Sequence, residues 1–341
     1  MQDALFPDEI LPAPAAIERT PKGAGSSIQP ATVDADTVAL AQRLPPQLHL
    51  GTSSWSYPGW AGLVWAGEHG ESLLSRQGLQ VYARHPLMRT VSIDRNFYRA
   101  LTAAQYERYA AQVPDDFRFV VKAPSLVSDA QVRDEDGRGQ QLNTAFLDPV
   151  LAVQEFVQPA LEGLGAKIGA LVFQLSPLAP QQLANMPEVL QKLDAMLAAL
   201  PSLQPLAPDG VIAVEVRDPA FLSAAFADLL KRHGATYCLG VHPKLGDLEL
   251  QLKVLRRLWP GPLVCRWNLN ARFGPFGYEE AQKRYGLFDQ ILDPDPATHA
   301  LLSRVVRATV EAGHKAYVCI SNHAEGCAPR TVQALAQALA Y

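Results

Sequence analysis

One alternation constrains this chain more than any other feature. From Leu48 to the C-terminus, short apolar runs take turns with longer amphipathic segments. The runs are Leu48–Gly51, Thr90–Ile93, Phe117–Val121, Ala170–Gln174, Val211–Val214, Thr236–Leu239, Leu263–Arg266 and Ala316–Ile320. Each is bounded by Pro, Gly, Asn or Asp, and together they read as strands buried on both faces, as parallel sheets require. The segments between them are Glu71–Arg84, Ala103–Gln112, Asp148–Leu161, Pro187–Leu200, Ala220–Arg232, Leu248–Leu258, Thr298–Ala312 and Thr331–Ala340. These carry helical spacing: in Asp148–Leu161, the residues Val150, Val153, Val157 and Leu161 fall on one stripe. Gly234 and Gly313 stand where helices stop, and Pro149 suits a first helical turn.

Eight strands, each followed by a helix over about 290 residues, predict an α/β fold of the (β/α)8 or TIM-barrel type, spanning residues 47–341. An open doubly wound sheet is the alternative. It needs a phosphate-binding Gly-x-Gly-x-x-Gly after the first strand, where this chain reads GTSSWSYPGWAG. Residues 1–46 differ from the rest, with Pro7, Pro12, Pro14, Pro21, Pro30, Pro45 and Pro46 among small and polar residues. Such a stretch buries little apolar area against its ordering entropy and reads as a flexible proline-rich arm. Within it, Ala35–Gln42 forms a short helix able to dock on the body.

Composition removes several classes of partner. With 30 Lys+Arg against 34 Asp+Glu, the formal net charge of −4 does not favour nucleic acid. No apolar stretch approaches the roughly 18 residues of a membrane span, and the acidic, proline-rich start is not a signal peptide. Cys238, Cys265, Cys319 and Cys327 contain no Cys-x-x-Cys pair and read as reduced, buried thiols. The expected location is the cytoplasm.

In a barrel of this type, chemistry gathers where the strands end. Read in order, those ends carry Trp55, Asp94 with Asn96, Lys122, Gln174, Glu215 with Arg217, His242, Arg266 with Asn268, and Asn322 with His323. Glu215 and Arg217 stand two apart and share a face, which suits a general acid/base or a structural ion pair equally. Lys122 offers a lowered pKa or a fixed positive charge, with pairing to Glu215 or Asp94 as the plainer role. Three cations at one mouth point to an anionic ligand. Gly274, Gly277 and the segment SNHAEGCAP before the last helix suggest an anion cradle, although glycine is more often turn chemistry.

Trp55, Tyr57, Trp60, Tyr98 and Trp267 either stack a ring-shaped ligand or pack the core. Retaining glycoside hydrolysis is disfavoured, because only Asp94 and Glu215 could supply its paired carboxylates. No His-Glu-x-x-His occurs, and only His242, His323, Glu215 and Asp94 could meet as metal ligands. No metal or cofactor is expected.

These segments together resemble the YecE-like family, the domain of unknown function 72. The resemblance rests on Gly51–Thr52–Ser53–Ser54–Trp55–Ser56–Tyr57 through Trp60, Asn96–Phe97–Tyr98, and Phe119–Val120–Val121–Lys122–Ala123. It continues with Phe173–Gln174–Leu175–Ser176–Pro177, Ala213–Val214–Glu215–Val216–Arg217, Arg266, and the closing set Tyr317, Asn322, His323, Gly326, Ala328 and Pro329. It runs from about residue 48 to the end and implies a TIM barrel with a pocket and no assigned reaction. The chain departs from the pattern at Val91–Ser92–Ile93–Asp94, at Ser128–Asp129 and at Trp267–Asn268–Leu269–Asn270, where a glutamate, a Thr-His and a His-Gly are replaced.

The sequence thus predicts an enzyme of unassigned class, whether hydrolase, lyase or isomerase, acting on a small polar, anionic metabolite. Glu215 would be the acid/base and Lys122 its electrostatic partner. Arg217 and Arg266 would clamp the anion and Asn322 would orient it, with Trp55, Tyr98, Gln174, Asp94 and His323 lining the site. A non-catalytic ligand-binding or regulatory barrel is the alternative, and a nucleic-acid-processing barrel fits the aromatics but not the charge. No membrane partner is expected, and the oligomeric state is open.

Overall fold

A computed structural model describes residues 27–133 and 139–340, and in it eight parallel strands close into a barrel. They are β1 (Leu48–Thr52), β2 (Thr90–Ile93), β3 (Arg118–Lys122), β4 (Ile168–Gln174), β5 (Val211–Glu215), β6 (Thr236–Val241), β7 (Leu263–Trp267) and β8 (Ala316–Ile320). Each pairs with its chain neighbours, and β8 closes on β1 in the register Leu48↔Ala316 to Thr52↔Ile320. Helices follow the strands as the periodicity predicts, among them Glu71–Tyr82, Met186–Ala199, Leu248–Leu258 and Ala328–Leu339. The fold is the TIM barrel expected from the alternation.

Three local features differ from the expected pattern. The Asp148–Leu161 segment is not one regular helix: Pro149–Ala152 leads into a π-turn at Val153–Val157, and Gln158–Leu164 resumes. Pro159 explains the wider turn, since its ring would strike the carbonyl four residues earlier in a regular helix. Val150, the first member of the predicted stripe, is exposed. Gln131–Arg133 and Gly139–Leu142 pair as an antiparallel hairpin after β3. Beyond β7, the chain forms an additional helix, Tyr278–Tyr285, where glycine-rich loop was expected.

Of the proline-rich stretch, residues 1–26 lie outside the described residues. From Ser27 the chain runs along the barrel, with Ile28, Ala31, Leu40 and Leu44 buried. Ala31 N donates to Val64 O at 3.0 Å, and Ala66 N to Gln29 O at 2.9 Å. Ala35–Gln42 is helical, capped by Asp34 on Thr37 N at 2.6 Å, and Gln333 of the last helix donates to Thr37 Oγ1 at 3.2 Å. Among the described residues no helix is long and apolar enough to cross a membrane. All four cysteines are free and buried.

The strands' two-residue period positions the site. Val120, Ala170, Val172, Ala213, Cys238, Val264, Tyr317 and Cys319 form a compact interior cluster, separate from the larger core between barrel and helices. Residues two further along each strand share the inward face at the C-terminal end. From Val120, Val172, Ala213 and Val264 that step leads to Lys122, Gln174, Glu215 and Arg266; from Ser92 it leads to Asp94. The apolar interior therefore ends in a polar layer.

Gly51 shows how tightly the wall is closed. A Cβ there would meet the Thr90 carbonyl oxygen at 1.8 Å, where β1 pairs with β2. Gly51→Ala is expected to cost about 2–3 kcal/mol by forcing that ladder apart. Urea denaturation is the check, and an unchanged midpoint would mean that the wall yields at this point.

Candidate functional site

Glu215 is the hub of the polar layer and is fully buried. Its Oε1 accepts from Arg217 Nη1 and from Asn268 Nδ2, the latter at 3.1 Å. Its Oε2 accepts from Arg266 Nη1 at 2.8 Å and lies 3.9 Å from Cys238 Sγ. Burial alone would raise the carboxyl pKa, but Arg217 and Arg266 override it and hold the group at about 2. Gly240 on β6 makes room for this pair. A Cβ there would stand 3.2 Å from Glu215 Oε1 and 3.3 Å from Arg217 Nη1.

The network extends to both sides. Gln174 Oε1 accepts from Arg217 Nη2 at 3.0 Å and from Arg266 Nη1 at 3.2 Å. Arg266 Nη2 donates to Asp94 Oδ2 at 2.6 Å, while Ser92 Oγ donates to Asp94 Oδ1 at 2.6 Å. Ser92 and Asp94, where the chain departs from the family pattern, thus form one unit with Arg266. The Asp94 side chain is 19% exposed against 4% for Arg266, so it is the carboxylate at the open edge.

Lys122 behaves differently from both arginines. Its ammonium lies 3.4 Å from the Phe97 ring centroid, and among the described residues no carboxylate stands within 4.0 Å of it. The plainer expectation, a direct ion pair with Glu215 or Asp94, is not realised, because those carboxylates are engaged by Arg217 and Arg266. Burial pushes the Lys122 pKa down to about 7, against the pull of Asp94 and with the push of Arg266 and Arg217. Asn96 holds the strand end in place: its Nδ2 donates to Lys122 O at 2.8 Å, and its Oδ1 accepts from Leu101 N at 2.8 Å.

Asp94, Lys122, Gln174, Glu215, Arg217 and Arg266 thus lie in one layer, while the other expected lining residues are placed elsewhere. Trp55 donates its indole N–H to Ser75 O at 3.3 Å and packs edge-on against Tyr109. Tyr98 is half exposed beside Phe97. Asn322 Oδ1 accepts from Trp60 Nε1 at 3.2 Å and Ala328 N at 2.8 Å, which ties the last loop to the first. His323 packs on Phe288 and Tyr278 and approaches Ser321 Oγ at 3.0 Å. Burial leaves its imidazole neutral, at about 4.

The expected anion cradle after β8 is closed. Residues 321–329 are buried, and the Ala324, Gly326 and Ala328 N–H groups bond within the loop. Backbone donors spent on turn closure are not offered to a phosphate.

His242 lies 5.8 Å from Tyr278, ring to ring, and its Nδ1 accepts from Lys244 N at 3.1 Å. Its Nε2 is buried without a partner among the described residues, and burial together with Arg217 keeps the ring neutral at about 3. Tyr278 belongs to the helix that the sequence reading left as loop; burial raises its hydroxyl to about 12. Among the described residues, His242, His323, Glu215 and Asp94 do not gather with others into a group of three or more able to hold a metal. An apolar groove of about 180 Å³, lined by Leu252, Leu255, Trp259 and Val305 among others, opens at the opposite end of the barrel.

Comparison with known proteins gives a consistent picture. A family model described as a protein of unknown function, DUF72, matches residues 49–341. A DUF72 family protein of Enterococcus faecalis is 17% identical, with a TM-score of 0.55 over 86% of this chain and 95% of that one. A DUF72 family protein of Thermotoga maritima is also 17% identical, with a TM-score of 0.53 over 85% and 96%. At such identity these structures bear on the fold alone. No curated protein matches the chain.

Proposed function

The chain belongs to the DUF72 family of proteins of unknown function, and from that premise we propose that its barrel mouth binds and transforms a small anionic metabolite. The observation that carries this reading is the charge of the polar layer. Arg217 and Arg266 are matched by Glu215 and Asp94, which leaves the Lys122 ammonium as the one positive charge without a carboxylate partner among these groups. A ligand's carboxylate or phosphate would fill that role at the accessible edge, next to Asp94.

The reading reassigns two roles. Glu215 is enclosed, ionised and saturated by donors, so it serves as the fixed carboxylate that orients both arginines rather than as the acid/base. The arginines in turn act through their field on Lys122 more than as direct clamps. Proton transfer falls to the half-buried pair, Lys122 and Asp94. The reading calls for no metal or cofactor, because Lys122 supplies the positive charge that the ligand needs.

The test is calorimetric titration with mono- and dicarboxylates, oxo acids and sugar phosphates across neutral pH. An anion favours the ammonium form, so binding takes up a proton where Lys122 is otherwise neutral. Affinity is therefore expected to fall as pH rises above about 7, by up to about tenfold per pH unit, and to lose that dependence in Lys122→Met. An affinity flat in pH, or no binding by any of these anions, would overturn the assignment. A ligand that binds without product formation would keep the site and remove the enzyme.

A further inference from the structure

Resting on that reading of the mouth, we propose that Lys122 is a nucleophilic amine that forms an imine with the carbonyl carbon of a small oxo acid. An imine-forming lysine must be uncommitted, shielded from bulk water and held in place. Three of the other lysines show the contrast; Lys244 is the nearest parallel, over the exposed Phe276 ring at 4.4 Å. Lys167 donates to Ala110 O at 2.8 Å and Val113 O at 2.7 Å; Lys192 pairs with Glu188, and Lys315 with Asp209. Among the described residues Lys122 has only the Phe97 ring, at 3.4 Å, and Asn96 pins its backbone.

The surrounding charges suit the same chemistry. The ionisable groups facing Lys122 are Asp94 beyond β2, Glu215 and Arg217 at the end of β5, and Arg266 on β7. Burial, aided by the two guanidiniums, disfavours a third cation and keeps a usable fraction of free amine near neutrality. The ammonium fraction of Lys122, whose charge no carboxylate of the layer pairs with directly, draws the carboxylate of an oxo acid in, which sets the neighbouring carbonyl at the nitrogen once it loses its proton. Asp94 is the open-edge carboxylate, fixed by Ser92 and Arg266, and serves as the proton carrier.

The step balances without an oxidant or reductant. The amine lone pair attacks the carbonyl carbon, a C–N bond forms, and the C=O π pair moves to oxygen, which takes up the first amine proton. Asp94 relays the second amine proton to the resulting hydroxyl, the C–O bond breaks and water leaves. The product is the imine of Lys122 plus one water. Protonated, that imine accepts electrons from an adjacent bond, so the class of reaction it opens is loss of an α-proton or cleavage of a carbon–carbon bond.

Trapping tests the proposal directly. The full chain is incubated with pyruvate or glyoxylate and sodium cyanoborohydride, then analysed by intact mass and peptide mapping. The expected result is a single reduced adduct on Lys122, formed at a rate that rises with pH through about 7 and then levels. Lys122→Met should abolish it, and the peptide map of the unaltered protein locates it even if that variant folds poorly. Adducts spread over surface lysines, or none with either acid, would overturn the proposal. Thermal stabilisation by the same acids separates the two ideas: stabilisation without an adduct removes the imine and keeps the anion site, whereas neither effect removes both.

Discussion

Glu215→Ala is expected to destabilise the barrel by about 3–5 kcal/mol, the range seen when one partner of a buried ion pair is removed. The magnitude comes from what is left behind rather than from what is lost. Arg217 and Arg266 remain buried, and among the described residues Arg217 keeps only Gln174 Oε1 as an acceptor. Arg266 keeps Asp94 as well as Gln174 Oε1, so its share of the cost is smaller. Glu215→Gln keeps the volume and one carbonyl acceptor and should fall between the wild type and alanine. Urea denaturation with an unchanged slope is the measurement. A midpoint within error of the wild type for the alanine variant would mean that the carboxylate is not the hub.

Lys122→Met is expected to move stability the other way while removing ligand binding. The ordinary lysine value is 10.5, and burial lowers it to about 7 in the folded protein. Between these values the unfolded chain holds a proton that the folded protein does not, so wild-type stability rises with pH across that window. Below about 7 the cost of the buried ammonium is present in full. Methionine removes it, so the variant should gain on the order of a few kcal/mol near pH 6, with the gain fading as pH approaches 10.5. Melting temperature measured against pH decides the matter. A methionine variant that is less stable than the wild type at pH 6 would show that Lys122 is seated without strain. Stability given up at a residue needed for binding is a mark of a functional position.

Much of the site was legible because a strand places every second residue on the same face. Once eight parallel strands are assigned, Asp94, Lys122, Gln174, Glu215 and Arg266 must converge at one end of the barrel. Asn322 and His323 are also at a strand end, yet the last loop turns their side chains toward Trp60, Tyr278 and Phe288. No periodicity governs a loop, so their direction followed from packing. Tyr278 was hidden because the glycines before it read as turn while the helix starts directly after Gly277. Gly240 carried a readable signal, a glycine inside an apolar strand, which marks close approach of a neighbouring group.

The sequence by itself determined the barrel, because the alternation of doubly buried strands with amphipathic helices has few closed solutions. It also determined which residue types reach the mouth. Only the tertiary structure decided how their charges divide. The chain separation between Glu215 and its partners Arg266 and Asn268, or between Arg266 and Asp94, says nothing about who bonds to whom. Hydrogen-bond geometry at short range settles that competition, and it joins both arginines to carboxylates of the chain itself while Lys122 lies outside those pairs. Burial then acts on an ammonium that no carboxylate compensates directly, which is how an unremarkable strand-end lysine comes to lose its proton near neutrality.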